Sequence, residues 1–472
     1  MNKVELLLLS IFFSIVLCSC SATKPISNQQ IVVNKKDTTV VIKQQPSILS
    51  DSVFNNAHIG ICVYEPATNT YLYNYQSNKY FIPASNTKIA TCYAAMKYLG
   101  DSLVGLIYDT LNFHGKDDST ITIFGVSDPT FLHSDFKNQR VFNFLTGIKN
   151  RKIFLGEITH YPTKSLASYG KGWARDDYNE AYMAERSFFP IYGNVAKFYL
   201  DDTVVKVIPG YFQKKVVQSK EKLSSFKIER LENENSFMVY DNPSNKKNVT
   251  VDVPLKLGVD LVVNNFNHVE GNLLADTLKK KIAPSRHRFT DKSYLFSKKK
   301  IYSQPTDSLL KPMMHNSDNF FAEQTLLMVS LNQLGYLSDE KIIDSLLKTD
   351  FKSLPQKPRW VDGSGLSRYN LFSPQDFVFI LNKMKNEFSW QRISTIFPTG
   401  DEGTLKGYYK GYQNKIFAKT GSLSNNYSLS GFIKSNAGKA YIFSIMVNNH
   451  QVTATEIRTS IEKFITTIIE NN

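Results

Sequence analysis

Three short motifs occur in one order along the chain, and their side chains could together transfer an acyl group. The sequence has SNTK at Ser85–Lys88, SDN at Ser317–Asn319 and KTG at Lys419–Gly421. A serine hydroxyl is a poor nucleophile at neutral pH and needs a neighbouring base. Because Lys88 follows Ser85 by one helical turn, its amine could take the serine proton if desolvation or nearby positive charge lowers its pKa. The first motif therefore predicts a serine nucleophile activated by a lysine.

The second motif supplies groups that could move protons and hold a substrate. Ser317 could pass a proton between Lys88 and the amine that leaves when the serine is acylated. Asn319 could hydrogen-bond a substrate amide while it also holds the Lys88 side chain. We therefore predict a catalytic role for Ser317 and a substrate-binding role for Asn319.

The third motif has the composition of a strand that binds an extended peptide. Lys419 could pair with a C-terminal carboxylate. Thr420 is small and Gly421 has no side chain, so a substrate could lie along this strand as an additional β-ladder. The backbone N–H groups of Ser85 and Ser422 would then form an oxyanion hole for the attacked carbonyl.

Each motif alone gives weak support for a catalytic site. Ser-x-x-Lys and Ser-x-Asn patterns arise by chance in a long chain rich in serine and lysine. Taken alone, Ser85 is better interpreted as a helix cap than as a nucleophile. The order of the motifs and their contexts, a helix start, a helix–helix loop and a strand, favour one shared site.

The elements expected around the motifs are helices and strands in mixed order. Two apolar runs, His58–Tyr64 and Thr70–Tyr75, flank a turn and predict a β-hairpin. After the first motif, helical spacing continues to Leu99 and ends at Gly100. The other predicted elements are helices at Asn319–Leu334, Asp339–Leu347, Pro374–Met384 and Ala454–Ile469, and strands at Lys415–Thr420, Ser428–Lys434 and Lys439–Asn448.

Residues 101–300 differ in sequence pattern from the rest of the chain. They contain short β-type runs separated by turn signals. These runs include Ser119–Phe124, Ala196–Val207, Ser236–Tyr240 and Val249–Val253. A chain of 472 residues is also longer than a single hydrophobic core usually supports. We therefore predict an α+β fold in which a mostly antiparallel sheet flanked by helices, built from residues 51–100 and 301–472, is interrupted by a β-rich insertion at 101–300.

The N-terminus has the pattern of an export signal. Lys3 precedes an apolar run, Leu6–Leu17, that is too short for a transmembrane helix. The Leu-Cys-Ser-Cys segment that follows resembles a bacterial lipobox, in which Cys20 would be the lipidated residue. We predict a lipoprotein signal peptide at residues 1–20, with an ordinary secretory peptide cut near Ala22 as the alternative.

The segment after this signal is polar and poor in aromatic side chains, which predicts a tether at residues 21–50. Either kind of signal would export the protein, so we expect it at the periplasmic face of the cell envelope, held to the membrane by a lipid anchor. Cys62 and Cys92 remain in the exported body and could form a disulfide. Their settings in a strand-like run and a helix favour two buried free thiols instead.

The charge and the histidines restrict the classes of partner. The formal charge of +14 comes from 56 basic and 42 acidic residues that are spread over the chain. No basic arm or zinc-finger pattern accompanies them, so we expect no nucleic-acid binding and instead a basic surface that faces an anionic envelope polymer. The eight histidines are scattered and form no His-Glu-x-x-His pattern, so we expect no metal site and no cofactor.

Longer segments around the motifs match a known family. They are Phe81–Lys88, His315–Gln324, Asp362–Arg368, Gly403–Leu405, Ala418–Leu423 and Phe443–Asn449. On these segments, the chain resembles the D-alanyl-D-alanine carboxypeptidases of the class C, low-molecular-mass penicillin-binding protein type, the peptidase S13 family. The long gap between Lys88 and Ser317 agrees with this, because single-domain serine β-lactamases have a far shorter one. The resemblance covers nearly all of the mature chain and implies a β-lactamase/transpeptidase-like catalytic fold.

The resemblance implies a serine DD-peptidase that cleaves D-Ala-D-X bonds of peptidoglycan stem peptides, as a carboxypeptidase, a cross-link endopeptidase or both. β-Lactams would inhibit such an enzyme by acylating Ser85. The resemblance also implies that Asp176 and Arg368 bind the diamino acid side chain of the stem peptide. The alternatives are a local cap or ion pair for Asp176 and a surface charge for Arg368. The sequence departs from the family at Gly125–Pro129, which is less glycine-rich, and at Arg175, where a tryptophan is frequent; both concern substrate detail.

Two other functions share these features. A β-lactamase would carry all three motifs but needs an efficient base for deacylation, and the long insertion argues against it. A non-catalytic cell-wall-binding lipoprotein with a relic site is the other alternative. The intact motif residues argue against the relic, since each chemical group that acyl transfer needs is present.

Overall fold

The computed structural model describes most of the chain from Pro46 onward. It describes residues 46–472 except 113–114, 117–118, 159–165, 202–203, 224, 242–248, 259–267 and 286–296. The predicted signal peptide at 1–20, its lipidation site Cys20 and most of the predicted tether lie outside the described residues. Within these ranges, no helix combines the length and the apolar character needed to cross a membrane.

The strands and helices are numbered here in chain order. The strands are β1 (His58–Glu65), β2 (Thr70–Tyr75), β3 (Ser102–Asp109), β4 (Leu111–Asn112), β5 (Gly115–Lys116), β6 (Thr120–Phe124), β7 (Lys152–Gly156), β8 (Val195–Asp201), β9 (Val204–Ile208), β10 (Val216–Lys222), β11 (Lys227–Arg230), β12 (Phe237–Asp241), β13 (Thr250–Pro254), β14 (Ile282–Pro284), β15 (Lys299–Pro305), β16 (Ile416–Leu423), β17 (Asn426–Lys434) and β18 (Ala440–Asn448). The helices are α1 (Lys88–Tyr98), α2 (Arg140–Gly147), α3 (Val269–Leu278), α4 (Thr306–His315), α5 (Asn319–Leu334), α6 (Asp339–Lys348), α7 (Pro374–Glu387), α8 (Trp390–Ile396) and α9 (Ala454–Asn471).

An antiparallel sheet with the order β16-β17-β18-β1-β2 carries helices on both faces. The central strand β18 is apolar at almost every position, because its two faces pack against different cores. Phe443, Ile445 and Val447 join the core that contains α9. Ile442 and Met446 face the core that contains α1, α4, α5 and α7. This arrangement confirms the predicted α+β class with an antiparallel sheet flanked by helices.

Helix α1 lies inside this second core and not on its surface. Its residues from Lys88 to Met96 are all buried, so the helix is enclosed on every side. Most of these side chains are apolar or small, which is typical of a helix inside a core. The consequence for the site is that Lys88, at the first position of α1, lies in an interior with little access to water.

Residues 102–305 contribute the other sheets. Their strand orders are β14-β7-β6-β3-β15, β13-β8-β9, β10-β12-β11 and β4-β5. This part of the chain is therefore β-rich, as predicted, but it also contains helices α2 and α3, which were not predicted. The predicted run Ala196–Val207 is two antiparallel strands, β8 and β9. Whether residues 101–300 form a domain of their own stays a prediction.

Candidate active site

Ser85 lies in a single 3₁₀ turn, Ala84–Thr87, that leads directly into α1. Ala84 has a φ of 48°, in the left-handed region that residues with a side chain rarely adopt. Gly365 permits this turn, because a Cβ atom at Gly365 would overlap the Ala84 carbonyl oxygen. The predicted helix start is therefore a tight turn held from outside, and it leaves Ser85 partly accessible while Lys88 behind it is fully buried.

The Lys88 Nζ atom lies within hydrogen-bond distance of three oxygens. These are Ser85 Oγ at 2.9 Å, Asn319 Oδ1 at 2.6 Å and the Ser364 carbonyl oxygen at 2.8 Å. The last two oxygens can only accept hydrogen bonds. A neutral Lys88 amine has two N–H groups, so it can donate to both of them and direct its lone pair at Ser85 Oγ. This is the geometry that a base for the serine proton requires.

The orientation of the Asn319 amide is fixed from its other end. Its Nδ2 group donates to the Tyr182 carbonyl oxygen at 3.1 Å, which leaves Oδ1 facing Lys88. Helix α5 begins at Asn319 because the Asp318 carboxylate accepts the Phe321 N–H as its N-cap. The second motif is thus a helix–helix loop, as predicted, and its Asp318 also caps the helix that follows.

Burial makes Lys88 a weaker base than a solvated lysine. Loss of solvation lowers its pKa from 10.5 to about 8, against the opposing effect of the acids Asp318, Asp362 and Glu323. With a pKa near 8, roughly a tenth of the amine is neutral at pH 7. The lysine is therefore poised to exchange a proton near physiological pH.

Ser317 and Lys419 meet on the other side of the site. Lys419 Nζ donates to Ser317 Oγ at 2.8 Å and to the Thr420 carbonyl oxygen at 2.6 Å. Burial, and then the nearby Lys88, hold the pKa of Lys419 well below its ordinary value. The structure thus brings Ser317 to Lys419, and the predicted proton transfer between Ser317 and Lys88 stays a prediction.

The third motif lies on β16, which is an edge strand of its sheet. Gly421 is required here, because a Cβ atom would come within 2.6 Å of the Pro83 carbonyl oxygen and 2.9 Å of Asn86 N. Thr420 Oγ1 donates to Thr404 Oγ1 at 2.7 Å, and Ser422 is exposed on the strand. The strand therefore packs directly on the nucleophile turn.

A buried turn around Asp362 closes the site from behind. The Asp362 carboxylate accepts the N–H groups of Gly365 at 2.8 Å and Ser367 at 2.6 Å. It also accepts the Asn370 side-chain amide at 2.8 Å and Trp173 Nε1 at 2.9 Å. Trp173 comes from the predicted insertion, so this carboxylate connects the insertion to the turn that shapes the site.

Asp176 and Arg368 lie on neighbouring segments outside the catalytic cluster. Both side chains are exposed, and Arg368 Nη1 makes one long contact, 3.5 Å, to the Ser424 carbonyl oxygen. The segments themselves meet, since Ser367 Oγ donates to the Lys171 carbonyl oxygen at 2.7 Å. The predicted specificity roles of Asp176 and Arg368 stay predictions.

Some site residues act through other groups and were not predicted from the sequence. Glu323 and Arg186 form a buried ion pair behind the Asp362 turn, and the backbone oxygens of Ser364 and Tyr182 hold Lys88 and Asn319. A backbone oxygen carries no sequence signal. Glu323 lies inside the matched segment His315–Gln324 and could have been found as an acid in an otherwise apolar helix.

Other reactive side chains do not form a further centre in the described part of the chain. No group of three or more His, Cys, Asp or Glu residues is placed there to hold a metal ion. Cys62 and Cys92 are buried free thiols, which confirms the prediction. Burial raises the pKa of both thiols, so neither is suited to act as a nucleophile.

Comparison with known proteins decides the family. The model of the D-Ala-D-Ala carboxypeptidase 3 (S13) family matches residues 42–468. The chain belongs to this family. The predicted resemblance is thereby confirmed, and the S13 chain is an enzyme, a serine-type peptidase of the D-Ala-D-Ala carboxypeptidase class.

Two curated relatives span most of the S13 chain. The D-alanyl-D-alanine carboxypeptidase DacB of Haemophilus influenzae is 24% identical over 447 residues, which are 88% of this chain and 90% of DacB. The D-alanyl-D-alanine carboxypeptidase of Actinomadura sp. (strain R39) is 24% identical over 445 residues, 86% of this chain and 80% of the relative.

Solved structures confirm the fold. The crystal structure of penicillin-binding protein 4 (DacB) from H. influenzae matches with a TM-score of 0.66 and 21% identity, over 88% of this chain and 96% of that one. The structure of the same protein in complex with a novel β-lactam matches with a TM-score of 0.62 and 20% identity, over the same shares of the two chains.

Proposed function

We propose that this protein hydrolyses D-Ala-D-X bonds of peptidoglycan stem peptides through an acyl-enzyme intermediate on Ser85. One observation carries the proposal, namely the contact of the buried Lys88 Nζ with Ser85 Oγ and two oxygens that can only accept. A lysine with a pKa of about 8 in that position can act as the base for the serine hydroxyl.

In the acylation step, the neutral Lys88 amine takes the proton of Ser85 Oγ while that oxygen attacks the carbonyl carbon of the D-Ala-D-X bond. The C–N bond of the amide then breaks, and the leaving amine takes a proton that Lys88 returns through Ser317. Water next attacks the acyl-enzyme, giving a free carboxylic acid and restoring the Ser85 hydroxyl. Each proton taken by a base is returned, so the cycle closes.

We assign substrate binding to the third motif and its neighbours. The terminal carboxylate of the substrate lies beside Lys419 and Thr420, and its negative charge favours the protonated form of the buried Lys419. The peptide extends along β16 past Gly421, with its attacked carbonyl at the backbone N–H groups of Ser85 and Ser422. The position of β16 at the edge of its sheet supports the assignment.

Two further assignments concern the substrate amide and the diamino acid side chain. Asn319 binds the substrate amide near the scissile bond, and Asp176 and Arg368 bind the diamino acid side chain. Support comes from the Ser367–Lys171 hydrogen bond, which holds together the segments that carry Asp176 and Arg368. Carboxypeptidase and endopeptidase activities use the same bond chemistry, and the names of both curated relatives favour the carboxypeptidase.

The cellular setting forms part of the proposal. We assign the protein to the periplasmic face of the envelope, anchored by a lipid on Cys20. The lipobox-like segment and the net charge of +14 toward an anionic wall support this assignment. Metabolic labelling with a palmitate analogue should mark the wild type and leave Cys20→Ser unmarked; equal labelling of the two would overturn the anchor.

Intact-mass analysis after incubation with benzylpenicillin tests the chemistry, with Ser85→Ala as the matched control. We expect one stable adduct in the wild type and none in Ser85→Ala. An adduct on both proteins would reject Ser85 as the nucleophile. No adduct together with no drug hydrolysis would favour the relic scaffold, and rapid drug hydrolysis without an adduct would favour a β-lactamase.

The substrate is tested separately with purified muropeptides. We expect release of D-Ala from monomeric pentapeptides, cleavage of cross-linked dimers, or both, and in each case only by the wild type. A protein that is acylated by benzylpenicillin but cleaves neither muropeptide would retain the proposed mechanism and lose the proposed substrate.

A further inference from the structure

A buried ion pair lies behind the catalytic lysine and joins two parts of the chain that are far apart in sequence. Arg186 Nη1 lies 3.5 Å from Glu323 Oε2, and the two side chains are 2% and 1% exposed. Arg186 also pairs with Asp339 at the start of α6. Its remaining N–H groups donate to the carbonyl oxygens of Ala167 at 3.1 Å and Tyr169 at 2.9 Å.

The other oxygen of this carboxylate is connected to Lys88 through the backbone of a single residue, Ser364. Glu323 Oε1 accepts the Ser364 N–H at 2.7 Å, and the Ser364 carbonyl oxygen accepts Lys88 Nζ at 2.8 Å. The second acceptor of Lys88, Asn319, is held in the same way by the Tyr182 carbonyl oxygen. Both accepting oxygens around the lysine are therefore held by groups tied to the segment 182–186.

We propose that Glu323, itself held by Arg186, is a positioning residue that anchors the backbone of Ser364, so that the Ser364 carbonyl oxygen stays against Lys88. Segment 182–186 of the predicted insertion thereby sets the direction of the lysine lone pair toward Ser85. The inference rests on the proposed function, in which Lys88 is the base.

The geometry explains why a carboxylate suits this position. Glu323 holds the peptide group before the Ser364 Cα atom, and Asp362 holds the one after it through the Gly365 N–H at 2.8 Å. If the first were released, the Ser364 backbone could shift, Lys88 would lose one of its two fixed acceptors, and its lone pair would no longer be confined to the direction of Ser85. A misplacement of about 1 Å at a reacting group can cost about a hundredfold in rate. Burial and Asp362 raise the pKa of Glu323 to about 7 against the opposing effect of Arg186, so the carboxylate is mostly ionised at the pH above 8 at which the Lys88 amine is mostly neutral.

Two variants separate the position of this side chain from its charge. Glu323→Gln keeps an acceptor for the Ser364 N–H and removes the charge, whereas Glu323→Asp keeps the charge and withdraws the acceptor by one methylene. The readout is the rate constant of acylation by a chromogenic cephalosporin, measured from about pH 6 to about pH 10, together with the thermal unfolding midpoint of each variant.

For Glu323→Gln, we expect a plateau rate within about threefold of the wild type and a midpoint at lower pH, because one of the negative charges that raise the pKa of Lys88 is gone. For Glu323→Asp, we expect a plateau at least about tenfold lower, with no shift of the midpoint to lower pH. Asp307→Asn serves as the control. It removes the negative charge of an ion pair with Arg392 that touches no catalytic group, so it should lower the unfolding midpoint and leave the pH profile unchanged.

Two results would overturn the inference. One is a wild-type plateau and midpoint in both Glu323 variants. The other is an equal loss of rate in both variants, in proportion to a lowered unfolding midpoint, as a merely structural ion pair would give. Failure of the proposed function is distinguishable, because the wild type would then form no Ser85-dependent adduct in the same assay.

Discussion

At the level of single residues, the rate of acylation depends on pH through the buried amine of Lys88, because only the neutral amine can take the Ser85 proton. Its pKa of about 8 leaves roughly a tenth of the amine neutral at pH 7 and about nine-tenths neutral at pH 9. We therefore predict that the rate constant of acylation by a β-lactam rises about tenfold over this interval and levels off above it. Stopped-flow measurements with a chromogenic cephalosporin give this profile directly.

Lys88→Arg is the matched control for this profile. A guanidinium keeps the positive charge but cannot be deprotonated in a protein, so the variant should not acylate at any pH in the range. A wild-type rate that stays flat from about pH 6 to about pH 10 would contradict the role of Lys88 as the base.

The pKa of Glu270 is raised, whereas that of Lys88 is lowered. The proposed chemistry does not use this acid. Its Oε2 has no hydrogen-bond partner in the part of the chain that the structure describes. Burial, with the nearby acids Glu185 and Glu157, raises its pKa from 4.5 to about 8. The folded state thus holds a proton that the unfolded state releases. The stabilisation is fully present below about pH 4.5 and is lost as the pH rises through 8.

We predict that Glu270→Gln removes this dependence. The stability of the wild type relative to the variant should fall by at most about 1.4 kcal/mol for each pH unit between the two pKa values. Urea unfolding of both proteins, at several pH values, measures the difference. Parallel stability profiles would show that Glu270 titrates normally in the folded protein.

At the level of elements, the contact between β16 and the nucleophile turn determines whether the site forms. Gly421→Ala places a Cβ atom against the Pro83 carbonyl oxygen and the Asn86 nitrogen. Both are backbone atoms, so they cannot move unless the whole turn moves. We predict a stability loss of about 1–3 kcal/mol and a loss of acylation of about a hundredfold. Thermal unfolding and the acylation assay measure the two effects.

Gly147→Ala is the control for this substitution. A Cβ atom at Gly147 meets nothing within 4 Å, so the variant should keep both stability and acylation. If Gly421→Ala were acylated at the wild-type rate, the close packing of β16 on the turn would not be needed for acylation.

The sequence predicted elements well where one periodicity dominates. Helix α5 has the predicted bounds Asn319–Leu334, and the strands of the catalytic sheet differ from prediction by a few residues at their ends. Helix α4 was missed because Pro312 lies inside it and proline usually ends a helix. Helix α2 is short and has only Val141 and Leu145 buried, which is too little periodicity to stand out among strands.

The candidate site also has a part that could be predicted from the sequence and a part that could not. The side chains of the three motifs were predictable, since acyl transfer requires those chemical types in a recognisable order. The ion pair of Arg186 and Glu323 was not, because its partners are distant in sequence and their pairing depends on the tertiary fold. The acceptor at Ser364 is a backbone oxygen, which any residue supplies.

At the level of the whole molecule, buried polar contacts join the predicted insertion to the catalytic helices. Gln324, on α5, donates to the carbonyl oxygens of Ser127 at 3.2 Å and Ser187 at 2.8 Å, and accepts Ser187 N at 3.1 Å. A buried amide left without these partners would cost about 1–3 kcal/mol. The residues that carry these contacts all belong to one compact unit, Val40–Asn472.

We therefore predict that the protein unfolds in one cooperative transition, even though its length would allow two. Separating the insertion from α5 would expose the Arg186–Glu323 pair and the Gln324 contacts together, so neither part gains stability by unfolding first. Differential scanning calorimetry should give a calorimetric enthalpy equal to the van't Hoff enthalpy. Gln324→Leu should lower the midpoint, because the buried Ser187 N–H and the Ser127 carbonyl oxygen would lose their hydrogen bonds to Gln324. Two resolved transitions in the wild type would instead show that residues 101–300 fold as an independent domain.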